Sequence, residues 1–379
     1  MKRHKYLSLI EKHFRVHAAC AILGPRQVGK TTLARAFSKS SSFKECHFFD
    51  LENPMDLARL ENPMLTLSRI SNALIIIDEI QRLPDLFPVL RVLIDEKEKN
   101  RTFLILGSAS RDLIRQSSET LAGRIGYIEL MPFSLDDIAD QNSDVLWLRG
   151  GFPLSYLASS EEDSFFWRQS YIRTFLERDI PCLGFQIPPE QMRRFWLMLV
   201  HYHGQIFHAS ELGKSLGISD HMVRKYLDLL SGTFMVRTLL PWYENLGKRQ
   251  VKSPKIYIRD SGILHALIGI RNQNEMATYP KMGSFWEGFA LEEIIRQEEA
   301  QGEECYFWAT QSKAELDLLI IKGGKKIGYE CKYADKPKIT PSMKIACEDL
   351  KLDHLYVVYP GDLSFPLSDK VTVRGLRKK

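Results

Sequence analysis

The stretch "GPRQVGKTT", residues 24–32, constrains this chain more than any other. It fits the spacing G-x-x-x-x-G-K-[ST], with Gly24, Gly29, Lys30 and Thr31 at the fixed positions. "AACAIL" before it reads as a buried strand, and "KTTLARAFSKS" after it reads as a helix. A strand that turns through such a loop into a helix points backbone amides and the helix's partial positive charge at one anion. Gly24, Pro25, Arg26, Gln27, Val28, Gly29, Lys30, Thr31 and Thr32 are therefore expected to cradle the phosphates of ATP. Lys30 would reach the β and γ phosphates, and Thr31 would hold Mg2+.

Two more strands support the same site. "ALIIIDEIQ" is a continuous apolar run ending in Asp78 and Glu79, the pattern of a parallel strand buried on both faces. Active groups of open α/β sheets gather at the carboxyl ends of the strands. Asp78 is expected to hold Mg2+ through water and Glu79 to orient the attacking water. "TFLILGSAS" ends in Ser108, placed to touch the γ phosphate or that water. "LAGRIGYIEL" supplies Arg124, an arginine finger in cis or on a neighbouring subunit, or else an ordinary salt-bridge residue.

With 379 residues, 44% hydrophobic and 26% charged, the chain has room for two to four domains. No apolar run approaches a membrane span, so no membrane partner is expected. The basic N-terminus "MKRHKYLSLIEKHF" is interrupted by Glu11 and Lys12, and reads as an amphipathic helix rather than a signal peptide. Six cysteines without a C-x-x-C pair fit a reducing, cytoplasmic location. The ten histidines include no trusted ligand spacing; His201 and His203 read as packed or solvated. Net charge is a mild +5, but two basic runs stand out. One holds Lys248, Arg249, Lys252, Lys255 and Arg259; the other holds Arg374, Arg377, Lys378 and Lys379.

The combination "GPRQVGKTTL", "IIIDEIQRLPDLFPVLRVLID", "FLILGSAS" and "LAGRIGYIELMPFSL", continued by "GGFPLSYL", "YIRTFLERDI" and "WEGFALEEI", resembles the AAA-plus ATPases of bacteria and archaea that carry a C-terminal domain of unknown function. The resemblance spans nearly the whole chain. It implies a P-loop fold over residues 1–131, ATP hydrolysis and a homo-oligomer such as a ring. It names no substrate.

Residues 132–188 read as a helical lid, in which Phe165, Phe166, Tyr171, Ile172 and Phe175 recur near helical spacing. Residues 189–280 read as a winged helix-turn-helix. Leu212 and Leu216 mark one helix, Gly217 the turn, and Ser219 the N-cap of a second helix that turns Val223, Tyr226, Leu227 and Leu230 inward. His221, Arg224 and Lys225 would face out as on a recognition helix. "TFMVRTLLPWY" and "KIYIRD" would be the wing strands, and "KRQVKSPK" a basic wing tip for phosphate contacts. Docking of protein is the alternative use of this module.

Residues 281–379 hold the oddest strand, "IGYECKY", with Glu330 and Lys332 on one face and Ile327, Tyr329, Cys331 and Tyr333 on the other. A paired-glycine turn, "KGGK", joins it to a strand expected to alternate Leu316, Leu318 and Ile320 against Asp317, Leu319 and Ile321. Glu287 lies near the start of an amphipathic helix upstream, with Glu292 a poorer choice on the same helix. Glu…Asp-x(12)-Glu-x-Lys resembles the restriction-endonuclease-like nuclease fold, although Leu316 stands where that pattern has proline. The resemblance implies that Asp317 and Glu330, with Glu287, hold Mg2+ or Mn2+, and that Lys332 positions the water and stabilises charge on the phosphate.

The expected fold class is therefore α/β: a P-loop AAA-plus ATPase core with a helical lid, a winged-helix domain and a C-terminal restriction-endonuclease-like α/β domain. The expected function is ATP-driven remodelling, translocation or branch migration of structured or forked DNA, linked to a metal-dependent nuclease. Two alternatives stay open. One is a DNA motor with an inactive nuclease fold; the other is a signalling ATPase whose winged helix and tail dock protein.

Overall fold

The computed structural model of the chain describes residues 3–109, 121–138, 142–243, 251–311 and 314–377. The chain divides into two compact units, Met1–Pro132 with Asp228–Met235, and Phe133–Leu227 with Val236–Lys379. Each unit is described by itself below. No helix among the described residues is long and apolar enough to cross a membrane.

The first unit is built on β1 (Ala19–Leu23), β2 (Glu45–Asp50), β3 (Ala73–Asp78), β4 (Thr102–Gly107) and β5 (Ile125–Glu129). They form one sheet of order β2-β3-β4-β1-β5, and every pairing is parallel. All residues of β1 and β3 are buried. This explains their unbroken apolar runs: helices cover both faces, so no side of the strand turns to water. α1 (His4–Phe14) precedes the sheet, α2 (Lys30–Ser40) follows β1, and α3 (Leu86–Asp95) buries Leu86, Phe87, Leu90 and Leu93.

The second unit begins with helices. α4 (Glu161–Thr174) is capped by Ser160, whose hydroxyl accepts from the Asp163 amide at 3.0 Å. Phe165, Tyr171 and Ile172 are buried as expected, but Phe166 is 70% exposed. At 3.6 residues per turn, adjacent positions differ by about 100°, so Phe165 and Phe166 cannot both face the core. α5 (Pro189–His201), the short β6 (Gln205–Ile206), α6 (Ala209–Leu216) and α7 (Asp220–Gly232) come next, α7 being counted with this unit only as far as Leu227. Gly217 takes a left-handed φ of 68° between α6 and α7, and Ser219 caps α7 by accepting from the Met222 amide at 3.3 Å. β7 (Val236–Pro241) and β8 (Lys255–Ile258) pair antiparallel, and β6 pairs antiparallel with β8.

α8 (Met282–Gln297) leads into β9 (Cys305–Ala309), β10 (Glu315–Lys322) and β11 (Lys325–Cys331). α9 (Pro341–Asp349), β12 (His354–Tyr359), β13 (Ser364–Ser368) and β14 (Val371–Gly375) complete the chain. Among the described residues the sheet of this unit has nine strands, ordered β13-β14-β12-β11-β10-β9-β7-β8-β6. β10 runs antiparallel to both of its neighbours, β9 and β11, and β12 returns parallel to β11 after α9. The β10–β11 turn uses Gly323 and Gly324, both at positive φ, as a two-residue hairpin turn requires.

One expectation about β10 needs correcting. Against β9 the register passes from Leu316↔Trp308 to Leu319↔Tyr306, so β10 holds one extra residue. Leu316 and Leu319 therefore share one apolar cluster with Met343, Leu350, Leu355 and Val357. Strict alternation fails there because a β-bulge intervenes, and bulges re-aim side chains. Asp317 sits inside it.

Candidate functional site

Each unit holds one candidate site. In the first, the phosphate loop leaves β1 at the carboxyl edge of the sheet. Gln27 (φ 63°) and Gly29 (φ 93°) take left-handed conformations, which curl successive amides inward. Lys30 is only 5% exposed. Its ammonium donates to the Gly24 carbonyl at 2.9 Å and the Pro25 carbonyl at 2.8 Å, so it already lies within the loop. The Thr31 hydroxyl donates to Asp78 Oδ2 at 2.6 Å. This joins the two residues expected to share Mg2+, one from α2 and one from the end of β3. Burial raises the Asp78 carboxyl above its ordinary range, partly offset by the Thr31 hydroxyl.

Glu79 follows with a left-handed φ of 55°, an uncommon conformation for a non-glycine residue and one that clusters at functional positions. Gln81 bonds Glu79 through its amide nitrogen and donates to Ser108 Oγ at 2.8 Å. The Ser108 hydroxyl donates in turn to Glu79 Oε2 at 3.2 Å. The fold thus brings Glu79 and Ser108 together through Gln81, which the sequence reading did not single out. Val28 is buried and Thr32 exposed, while Arg26 pairs with Glu52.

Arg124 is not brought to this site. It directly precedes β5, whose first residue, Ile125, pairs with Ala19 at the start of β1. The phosphate loop lies at the other end of β1, beyond Leu23. Arg124 instead donates to Asp95 at 2.7 and 3.0 Å. A cis finger is therefore excluded by the length of the strand in between.

The second site gathers residues from four elements of the second unit. Asp317 comes from the β10 bulge, Glu330 from β11 with Lys332 just beyond it, and Glu287 from α8. The fourth contributor is Lys255 at the head of β8. Asp317 and Glu330 are each 5% exposed. Asp317 Oδ2 accepts from the Cys331 amide at 2.9 Å. Glu330 Oε1 lies 2.7 Å from the Lys332 ammonium, while Glu330 Oε2 is buried without a hydrogen-bond partner. Glu287 Oε1 accepts from the Tyr257 hydroxyl at 2.9 Å.

Crowded carboxylates out of water resist ionisation. Burial first, then Asp317, raises Glu330 to about 8 and Glu287 to about 7, against the pull of Lys332 and Lys255. Burial opposes the charge on Lys332, but Glu330 and Asp317 win and raise it. A carboxylate pair with an open buried oxygen fits a hard cation such as Mg2+ or Mn2+. Even so, no trio of His, Cys, Asp or Glu among the described residues is already spaced to hold a metal ion. The expected set Glu287, Asp317 and Glu330 is thus assembled but not closed into a cage.

Lys255 corrects another expectation. It was grouped with a solvent-facing basic wing, yet it is 2% exposed and lies against Glu315, Asp317 and Glu287. The signal was present in "KIYI", a charge leading directly into an apolar strand. Arg259 likewise turns inward. With Arg237 and Arg296 it surrounds Glu292, which removes Glu292 as a site residue. Arg374 pairs with Glu298, and Arg377 with Asp144. Lys248, Arg249, Lys378 and Lys379 lie outside the described residues. His221, Arg224 and Lys225 are exposed on α7, as expected.

Comparison with known proteins follows this division. Residues 16–139 match a family model described as an AAA domain. Residues 140–274 and 282–378 match two described as domains of unknown function, DUF8612 and DUF4143. Uncharacterized protein Rv2008c of Mycobacterium tuberculosis is 51% identical over 358 residues, which cover 94% of this chain and 80% of that protein. Uncharacterized protein Mb2031c of Mycobacterium bovis gives the same figures. Among solved structures, the Walker-type ATPase PABY2304 of Pyrococcus abyssi aligns at 15% identity with a TM-score of 0.49, over 70% of this chain and 95% of that one.

Proposed function

Since the chain belongs to the family of Rv2008c and Mb2031c and is an ATPase of AAA type, we propose that it spends ATP on DNA and that its second unit acts on a phosphodiester through Asp317, Glu330 and Lys332. The observation that carries the reading is the meeting of these three residues with Glu287 in a helix–three-strand–helix–strand order, α8-β9-β10-β11-α9-β12. The restriction-endonuclease-like resemblance asks for that arrangement.

In the ATP site, Lys30 and the loop amides would neutralise the phosphates, and Thr31 and Asp78 would hold Mg2+. Glu79, held by Gln81 and Ser108, takes a proton from the attacking water. In the second unit, Asp317 and Glu330 would hold Mg2+ or Mn2+, which supplies a Lewis acid and an acidified water when bound. Lys332 steadies the negative charge that develops on the phosphate.

The helix-turn-helix of α6 and α7 with strands β7 and β8 has the order of a winged helix. Exposed His221, Arg224 and Lys225 suit DNA contact, with structured or forked DNA the favoured partner. Arg124, remote from its own phosphate loop, would serve a neighbouring copy, so a homo-oligomer in the cytoplasm belongs to the same reading. The ammonium of Lys255 among the carboxylates favours a second reading, in which the nuclease-like fold grips DNA without cutting.

The test of DNA as substrate is ATP turnover measured with linear, forked and four-way DNA. Stimulation by at least one form, weakening as salt rises, is expected. Turnover indifferent to every DNA would remove nucleic acid from the account and leave protein docking.

A further inference from the structure

Lys255 heads a four-residue strand in which every residue is buried. A buried ammonium is costly unless paired, and this one is paired three ways. It contacts Glu315 closely, and stands 3.7 Å from both Asp317 Oδ1 and Glu287 Oε1. It also lies 5.6 Å from the centre of the Phe307 ring.

The oxygens of the site are unequally used. Asp317 Oδ2 is taken by the Cys331 amide, and Glu330 Oε1 by Lys332. Of the four oxygens of Asp317 and Glu330, two remain for a cation. Glu330 Oε2 is buried without a partner, and Asp317 Oδ1 faces only the Lys255 ammonium among the ion pairs described. A cation shared by these oxygens would sit beside a fixed positive charge. Formal charge points the same way. With all four ionised, the carboxylates Glu287, Glu315, Asp317 and Glu330 would exceed the two ammoniums of Lys255 and Lys332 by two charges, which one divalent ion would meet while displacing the protons that burial holds on Glu287 and Glu330.

We propose that Lys255 is the resident counter-ion of this site and sets its metal affinity, because a divalent cation reaches Asp317 only by displacing or repelling that ammonium. The proposal rests on the metal-binding reading of Asp317 and Glu330. It makes Lys255 a positioning residue. Without metal it holds the carboxylates together, and with metal it weakens the hold, so that the site fills only at high metal concentration or when substrate phosphate adds negative charge.

The experiment is calorimetric titration of the nucleotide-free full chain with Mn2+, comparing wild type, Lys255→Met, Lys255→Arg and Asp317→Asn. Lys255→Met keeps the apolar stem and removes the charge. It should bind Mn2+ about tenfold or more tightly than wild type, since a unit charge this close in a shielded site is worth at least that factor. Lys255→Arg keeps the charge and should stay near wild type, which separates charge from packing. The binding event should vanish in Asp317→Asn. If circular dichroism shows Lys255→Met unfolded, Lys255→Gln carries the same expectation. Equal or weaker affinity in the neutral variant, with an Asp317-dependent event intact in wild type, overturns the role of Lys255 and leaves the metal site standing. So does tightening by Arg as much as by Met. No Asp317-dependent event in any variant overturns the metal reading and this inference together.

Discussion

The Thr31 hydroxyl donates to Asp78 Oδ2 at 2.6 Å, across 47 residues of sequence. The bond ties the first turn of α2 to the end of β3. It joins the two side chains proposed to hold Mg2+. Lys30 is held in the same region by two loop carbonyls, so the ATP site is largely preorganised.

Lys30→Ala should abolish ATP hydrolysis. Arg26, the other cation of the loop, is paired with Glu52, whereas the Lys30 ammonium lies on the loop carbonyls, and losing a preorganised charge at developing negative charge typically costs about 100-fold or more. Phosphate release measured on folded variant and wild type checks this. Turnover within a few-fold of wild type would remove the loop from the chemistry.

Glu292→Gln should destabilise the second unit strongly. Glu292 is 2% exposed and lies among Arg237, Arg259 and Arg296, which hold its carboxyl far below the usual range despite burial. Neutralising it removes the carboxylate that Arg237 and Arg259 share, while Arg296 keeps Glu293, at a cost of about 3–5 kcal/mol. Denaturant unfolding followed by tryptophan fluorescence gives the figure. A loss under about 1 kcal/mol would mean that the arginines find other partners.

Stability should fall with acid through two buried histidines. Burial holds His203 and His265 at about 3, well below the ordinary 6.5. The unfolded chain therefore binds more protons than the native one between about pH 3 and 6.5. Their contribution is complete above pH 6.5 and is lost as pH falls through that window, at up to ~1.4 kcal/mol per pH unit for each group. His203 Nδ1 accepts from the Ile258 amide at 3.0 Å, and His203→Gln keeps an acceptor there while removing one titrating ring. Its unfolding free energy, measured between pH 7 and 5, should depend less steeply on pH than that of wild type. Equal slopes would show that His203 protonates in the native state as readily as in water.

The first site was legible in the sequence because its parts are local and obligatory. A glycine-rich turn between a buried strand and a helix has few other solutions, and "IIIDE" announces its strand by apolar continuity. Gln81 escaped notice because its role depends on how the segment after β3 meets Ser108, which spacing does not encode. Arg124 was left open between a finger and a salt bridge because a residue next to a strand gives no hint of which end of the sheet it joins; within its own chain it pairs with Asp95. In the second unit the carboxylate of "YECKY" was legible, since Glu330 in a buried strand needs a cause, whereas Lys332 lies just past the strand's end. The bulge that aims Asp317 was not, because the two-residue period gives no sign of one extra residue. Lys255 was assigned to solvent from its basic neighbours, although its own strand is apolar.

The central claim concerns Asp317, and the most direct measurement is a cleavage time course on forked and four-way DNA with Mn2+ or Mg2+, comparing wild type and Asp317→Ala. ATP turnover is read in the same tubes. The expected result is metal-dependent cutting by wild type that disappears in the variant while ATP turnover is kept. Cutting that persists undiminished in Asp317→Ala, or no cutting by wild type with any metal or DNA form, would contradict the phosphodiester role of the site.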